Sequence, residues 1–206
     1  MYIVALPFLV WAWRKIKKTS IRSIIPLIAV VSALLLIVQL FEFPVAGGGS
    51  TWHFLGGTMV SMVLGPFAGV ISMTITLIIQ AMLGDGGITS FGANVFNLAV
   101  IGALSFFIVK ALLARKFSSR RLVVSVFVAT CVSNILTALA VGIEIGVYPL
   151  VGEIGGVGIT VPTMLFWYVP TGIVEGFVAS LLIVPFSRIK SIKLHGLDLC
   201  RVNNCD

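Results

Sequence analysis

Long apolar runs alternate with short polar breaks along the whole chain, and the runs have helical length. Met1–Trp13 is apolar and ends at a basic cluster, Arg14, Lys15, Lys17, Lys18 and Arg22. Ser23–Phe41 carries no charge until Glu42, and Phe43–Ser50 reads as a flexible glycine-rich loop. Thr51–Leu64 is helical in pattern but short. Gly65-Pro66 punctuates it, and Phe67–Leu83 follows with Gln80 among its few polar groups. After the break Gly84-Asp85-Gly86-Gly87, Phe91–Ala114 opens through Gly92, Asn94 and Asn97. It closes on a second basic cluster, Arg115, Lys116, Arg120 and Arg121. Leu122–Val147 is apolar except for Asn134 and Glu144, and Tyr148–Gly158 is a Gly-rich loop. Ile159–Phe186, interrupted by Pro162 and Pro170, leads to a third cluster, Arg188, Lys190 and Lys193.

At about 20 residues per crossing, the runs predict an all-α, polytopic transmembrane helical bundle of about seven spans. The positive-inside rule places the three basic clusters in the cytoplasm. Four runs lie between the first and second clusters and two between the second and third, so the N-terminus is expected outside and the C-terminus inside. The first run is anomalous: as a helix it reaches only about 20 Å, against a hydrocarbon core of about 30 Å. Either this helix inserts partway or the natural start lies upstream.

Composition narrows the class further. Hydrophobic residues make up 59% and charged residues 10% of the 206, whereas soluble domains carry about 25% charged residues. The deficit runs along the whole length. Residues 1–206 therefore read as one integral membrane domain, multi-pass in the plasma membrane, with 194–206 as a short cytoplasmic tail. The net charge of +7 would suggest nucleic acid in a soluble protein. Here the basic residues sit between apolar runs, where they face anionic headgroups of the bilayer, and no nucleic-acid partner is expected.

The few polar residues can be weighed one by one. His53, beside Trp52 at the mouth of the third run, suits either an interfacial aromatic–histidine pair or a ligand for nickel, cobalt, copper or zinc. Asp85 lies in a Gly-rich stretch that reads as a tight turn or as a loop closing over a solute. Asn94 and Asn97, spaced i and i+3, share a helix face. They either bond a neighbouring helix or orient a ligand. Glu175 stands mid-run between Gly172 and Gly176. Glycine packing does not explain an intramembrane carboxyl, which marks it as a functional candidate. Glu144, near a run end, reads as a snorkelling side chain. Cys131 reads as an inert core residue. His195, Cys200, Cys205 and Asp206 in the tail have irregular spacing for a soft-metal site. No nucleophile–base pair and no phosphate-binding loop stand out, so the chain reads as a non-enzyme whose uphill work would draw on partners.

Four segments carry a resemblance: Thr51-Trp52-His53-Phe54-Leu55-Gly56-Gly57-Thr58, Leu64-Gly65-Pro66, Gln80-Ala81-Met82-Leu83-Gly84-Asp85-Gly86-Gly87, and Gly92-Ala93-Asn94-Val95-Phe96-Asn97-Leu98-Ala99. In order and spacing they resemble the CbiM/NikM family, the substrate-capture subunits of energy-coupling-factor cobalt and nickel transporters. Gly172-Ile173-Val174-Glu175-Gly176 looks like that family's last-span motif. The resemblance implies capture of Co²⁺ or Ni²⁺ as transported substrate, with no permanent cofactor. It implies a transmembrane coupling subunit, a cytoplasmic ATPase pair and a small accessory membrane subunit as partners, with cobalamin synthesis as one destination of the metal. It also implies His53 as a metal ligand beside nitrogens of an N-terminal Met-His segment. Position 2 is Tyr2, so those N-terminal ligands have no match. A second reading is therefore a degenerate or truncated member that serves in membrane assembly without metal capture. A third, an enzyme built on Glu175 and Asn134, ranks lowest.

Overall fold

A computed structural model describes residues 2–17, 21–44, 51–85, 87–114, 118–147 and 156–188. Each apolar run yields one helix: α1 Tyr2–Lys17, α2 Ile21–Gln39, α3 Gly57–Leu64, α4 Pro66–Leu83, α5 Phe91–Leu113, α6 Ser119–Val147 and α7 Val157–Arg188. Between α2 and α3, Phe43–Pro44 of the expected loop (β1) pairs antiparallel with Thr51–Trp52 of the expected helical run (β2). The tail residues His195, Cys200, Cys205 and Asp206 lie outside the described residues, as do residues 45–50 of the loop.

Element lengths change the crossing picture. Pro66–Leu83, Phe91–Leu113, Ser119–Val147 and Val157–Pro185 are each long and apolar enough to cross a membrane, and Ile24–Gln39 is a shorter apolar helix. Helix α1 continues past the expected end at Trp13 to Lys17, so its basic residues Arg14 and Lys15 lie on the helix itself. Helix α3 departs most from expectation. It has eight residues, about 12 Å of rise, less than half the hydrocarbon thickness. The run 51–64 is therefore not a helical span. Its first part, residues 53–56, is irregular backbone. Pro162 and Pro170, expected to interrupt the last run, lie inside a continuous α7 together with Pro185, as neighbouring helices permit in an apolar bundle.

Local chemistry sets the other ends. Pro66 occupies the start of α4, where its missing N–H costs nothing. Gly84 stops α4 in the left-handed region at φ 92°, with its N–H on the carbonyls of Ala81 and Gln80.

Helix α3 doubles back on α4 about Gly65, with Ser61 against Gly69. It also crosses α5 backbone to backbone: a Cβ on Gly57 would lie 2.7 Å from Gly102 Cα. Small residues at such crossings let apolar helices approach closely where no hydrophobic force drives them together. The most extensive pairing is the α6–α7 hairpin. Met62, Phe106, Val109, Leu122, Val126 and Ile183 form one core cluster, joining the end of α3 to the basic ends of α5, α6 and α7. Lys15 and Ile24 flank Leu64–Phe67 at that same end. At the other end the Tyr2 hydroxyl donates to the Ile88 carbonyl, and Tyr2 backbone lies against Gly92. Large side chains such as Ile3, Phe41, Met82 and Phe166 face outward, as lipid-facing residues of a multi-pass bundle do.

Candidate functional site

Irregular backbone inside an apolar bundle must find protein partners for its N–H and C=O groups. Residues 53–56 meet that demand with two buried side chains, Glu175 and Gln39, each held in turn by a buried amide. The Glu175 carboxylate, from α7, accepts from the N–H of Gly56 at 2.7 Å through Oε1 and from the N–H of Leu55 at 3.3 Å through Oε2. Oε2 also accepts from Asn134 Nδ2 of α6 at 3.2 Å. From the opposite side Gln39, at the end of α2, donates to the Leu55 carbonyl at 2.8 Å, and Gln80 of α4 donates to Gln39 Oε1 at 3.1 Å. All three groups facing Glu175 are donors, which suits an acceptor-only carboxylate.

Two glycines allow this arrangement. Gly56 has φ 70°, a conformation that disfavours any Cβ, and a Cβ there would also meet Leu35 Cδ2 at 2.5 Å. Gly172 lies one turn before Glu175, and a Cβ there would sit 2.9 Å from Asn134 Cβ. Without side-chain bulk, α6 and α7 close until the amide reaches the carboxylate.

The clamp holds the stem of His53. Its Nδ1 lies 2.9 Å from the Phe54 carbonyl oxygen. A carbonyl only accepts, so the contact makes Nδ1 the donor, and in the neutral ring that tautomer leaves the lone pair on Nε2. That tautomer is the one a metal-binding imidazole requires when its other nitrogen is held by a backbone carbonyl. Among the described residues no three of His, Cys, Asp and Glu converge into a complete ligand set. Among them, His53 offers one oriented nitrogen.

The remaining candidates separate. Asp85 belongs to the stop of α4, its N–H on the Gln80 carbonyl at 2.9 Å. Asn94 and Asn97 do not simply repeat one α-helical face, because residues Val95–Val100 of α5 form a π-helical turn. Asn94 is half-buried, whereas Asn97 is fully enclosed. Asn97 Nδ2 donates to Glu144 Oε2 at 2.8 Å, and its backbone carbonyl accepts from Thr137 at 3.1 Å. Glu144 is thus not a snorkelling side chain: it turns inward to a buried amide. Cys131 donates to the Gly172 carbonyl at 3.4 Å within the α6–α7 contact, as a small packing residue does. Gln39 was not a candidate on sequence grounds. Its only signal was an amide at the end of an uncharged apolar run.

Comparison with known proteins follows the same lines. The family model described as "Cobalt uptake substrate-specific transmembrane region" (CbiM) matches residues 1–191. A putative fused nickel transport protein NikMN of Archaeoglobus fulgidus is 32% identical over 181 residues, covering 87% of this chain and 58% of that protein. A fused nickel transport protein NikMN of Rhodobacter capsulatus is 36% identical over 152 residues, with 72% of this chain and 44% of that protein covered. The chain thus spans about half the length of these relatives. A putative cobalt transport protein CbiM 1 of Methanocorpusculum labreanum is 32% identical over 194 residues, 91% of this chain and 83% of that protein. A crystal structure of a transition metal transporter superposes with a TM-score of 0.82 at 31% identity, covering 94% of this chain and 88% of that one.

Proposed function

This chain belongs to the CbiM family of cobalt-uptake substrate-specific transmembrane regions, a multi-pass membrane protein, and from that premise we propose that it is the metal-capture component of an importer for Co²⁺ or Ni²⁺. Energy would come from a transmembrane coupling subunit and a cytoplasmic ATPase pair, with a small accessory membrane subunit beside them. The imported metal would serve cobalamin synthesis or nickel enzymes. One observation carries the reading. An unwound segment inside the bundle is clamped by Glu175, itself held by Asn134, and by Gln39, and the neutral His53 ring that donates from Nδ1 to the Phe54 carbonyl leaves Nε2 for a metal. Imidazole nitrogen suits both metals, and a nitrogen-rich planar set favours Ni²⁺.

The gathering of basic helix ends at the Gly65 end of α3 supports an orientation with that end in the cytoplasm. Tyr2 and His53 would then open toward the outside, and the metal would approach from there. Uptake of Co²⁺ and Ni²⁺ by cells expressing the chain with its coupling and ATPase partners tests the proposal. His53→Ala should bring uptake of the transported metal to background while the protein stays in the membrane. Undiminished uptake of both metals would overturn the assignment of His53.

A further inference from the structure

The start of α6 carries two cations where its backbone disfavours them. Arg120 and Arg121 lie in the first turn of that helix, which has no acidic residue, and the positive end of the helix dipole opposes cations there. Lys110, by contrast, stands in the last turn of α5, the end that favours a cation. No acidic residue stands between Asp85 and Glu144, and Glu144 lies about 35 Å of helix rise beyond Arg121. The neighbouring chain therefore supplies no counter-charge for this end.

Both arginines open onto a groove of about 340 Å³ between α5 and α6, lined also by Leu112, Val124, Ser125 and Val128. Residues 121, 124, 125 and 128 are spaced i, i+3, i+4 and i+7, so they form one stripe of α6. Along about 10 Å of rise the stripe passes from guanidinium to aliphatic side chains. Leu112, Val124 and Val128 are exposed, as lipid-facing residues are. Ser125 differs from them. It is 4% exposed, it lines the groove, and its hydroxyl has no hydrogen-bond partner among the described residues. The groove thus combines planar cationic donors, one hydroxyl and an apolar wall. Guanidinium groups pair bidentately with phosphate oxygens, and a hydroxyl can donate to a further oxygen. The apolar wall contributes nothing to a free anion but suits an acyl chain. The space beside Lys15 has no such combination: it holds about 80 Å³, and Lys15 Nζ lies 6.0 Å from the centre of the Phe67 ring.

We infer that this groove is a binding site for an anionic phospholipid, with the phosphodiester on Arg120, Arg121 and Ser125 and an acyl chain along Leu112, Val124 and Val128. Basic groups at helix ends attract such headgroups in general; here the groove fixes where one of them sits. The lipid would tie the α5–α6 connection to the membrane surface. The site rests on the multi-pass character of the chain and not on metal capture at His53.

Native mass spectrometry tests it, on the purified full chain equilibrated in detergent with equal amounts of phosphatidylglycerol and phosphatidylcholine of the same acyl chains. Phosphatidylglycerol should be retained at least about tenfold over phosphatidylcholine, as two cations near a membrane surface provide. The double variant Arg120→Gln/Arg121→Gln should lose that preference. Arg14→Gln/Lys15→Gln, which removes the same charge from the other basic cluster, should keep it. Ser125→Ala should weaken retention by about threefold, the worth of one hydrogen bond. Size exclusion checks that each variant is folded, and phosphatidylglycerol should raise the thermal midpoint of the unmodified chain but not of R120Q/R121Q. Equal retention of the two lipids by the unmodified chain overturns the site. A preference reduced alike in both double variants also overturns it, since it would then follow net charge. Displacement of the lipid by an equal concentration of inorganic phosphate would make the groove a free-anion site and overturn the lipid assignment. Equal lipid retention, with R120Q/R121Q losing co-purification of the coupling subunit, would assign the groove to a protein contact instead.

Discussion

Glu175 and Glu144 are both carboxylates on apolar helices, and their surroundings hold them unequally. Glu175 is enclosed by three N–H donors that use both of its oxygens. Glu144 receives one donor on Oε2, while Oε1 is buried without one. A carboxylate whose oxygens are all taken is a fastener. One with an oxygen left over is held by a single donor and ties its helix less firmly. Depth in the bundle separates them in the same direction: Glu175 is buried, whereas Glu144 is half-buried.

The sharpest contrast comes from the same isosteric change at both positions. Glu175→Gln turns one oxygen into an NH₂ that must face an N–H of the 55–56 backbone or of Asn134. Stability should fall by on the order of 2 kcal/mol, read as a lowered thermal midpoint in detergent, and metal retention at His53 should fall with it. If the midpoint is unmoved, Glu175 does not hold the segment. Gly56→Ala tests the same clamp through the backbone: at φ 70° a Cβ costs about 1–2 kcal/mol. The substitution should also displace the N–H that meets Glu175 Oε1. Gln39→Leu strands the Leu55 carbonyl from the other side. About 1 kcal/mol is expected, given the modest worth of hydrogen bonds between membrane helices, with Gln80 losing its acceptor as well. Glu144→Gln should change stability by less than about 1 kcal/mol, since the amide retains an oxygen for Asn97 Nδ2 and strands no donor. A loss at Glu144 matching that at Glu175 would mean both carboxylates fasten their helices equally.

These roles were only partly legible beforehand. A carboxyl in mid-helix singled out Glu175, because hydrocarbon penalises it. Its partners could not be read, since two are backbone N–H groups about 120 residues away in the chain. Glu144 was misread for the converse reason. Near a helix end a carboxylate can reach the headgroups, and nothing local to α6 announces an amide on α5. The spacing of Asn94 and Asn97 assumed a uniform α-helical turn, which the π segment replaces. Helix α3 was overestimated because composition cannot distinguish an apolar helix from an apolar irregular segment of the same run.

The sequence by itself determined the membrane class, the long apolar runs that become helices and their basic ends. All of these follow from local hydrophobicity, charge and short motifs, which act within a few residues. The tertiary structure decided that residues 53–56 are unwound, that Glu175, itself held by Asn134, and Gln39 hold them, and that Glu144 turns inward to Asn97. Unwound backbone survives inside an apolar bundle only where distant side chains satisfy it, and that condition is visible only once the helices are packed.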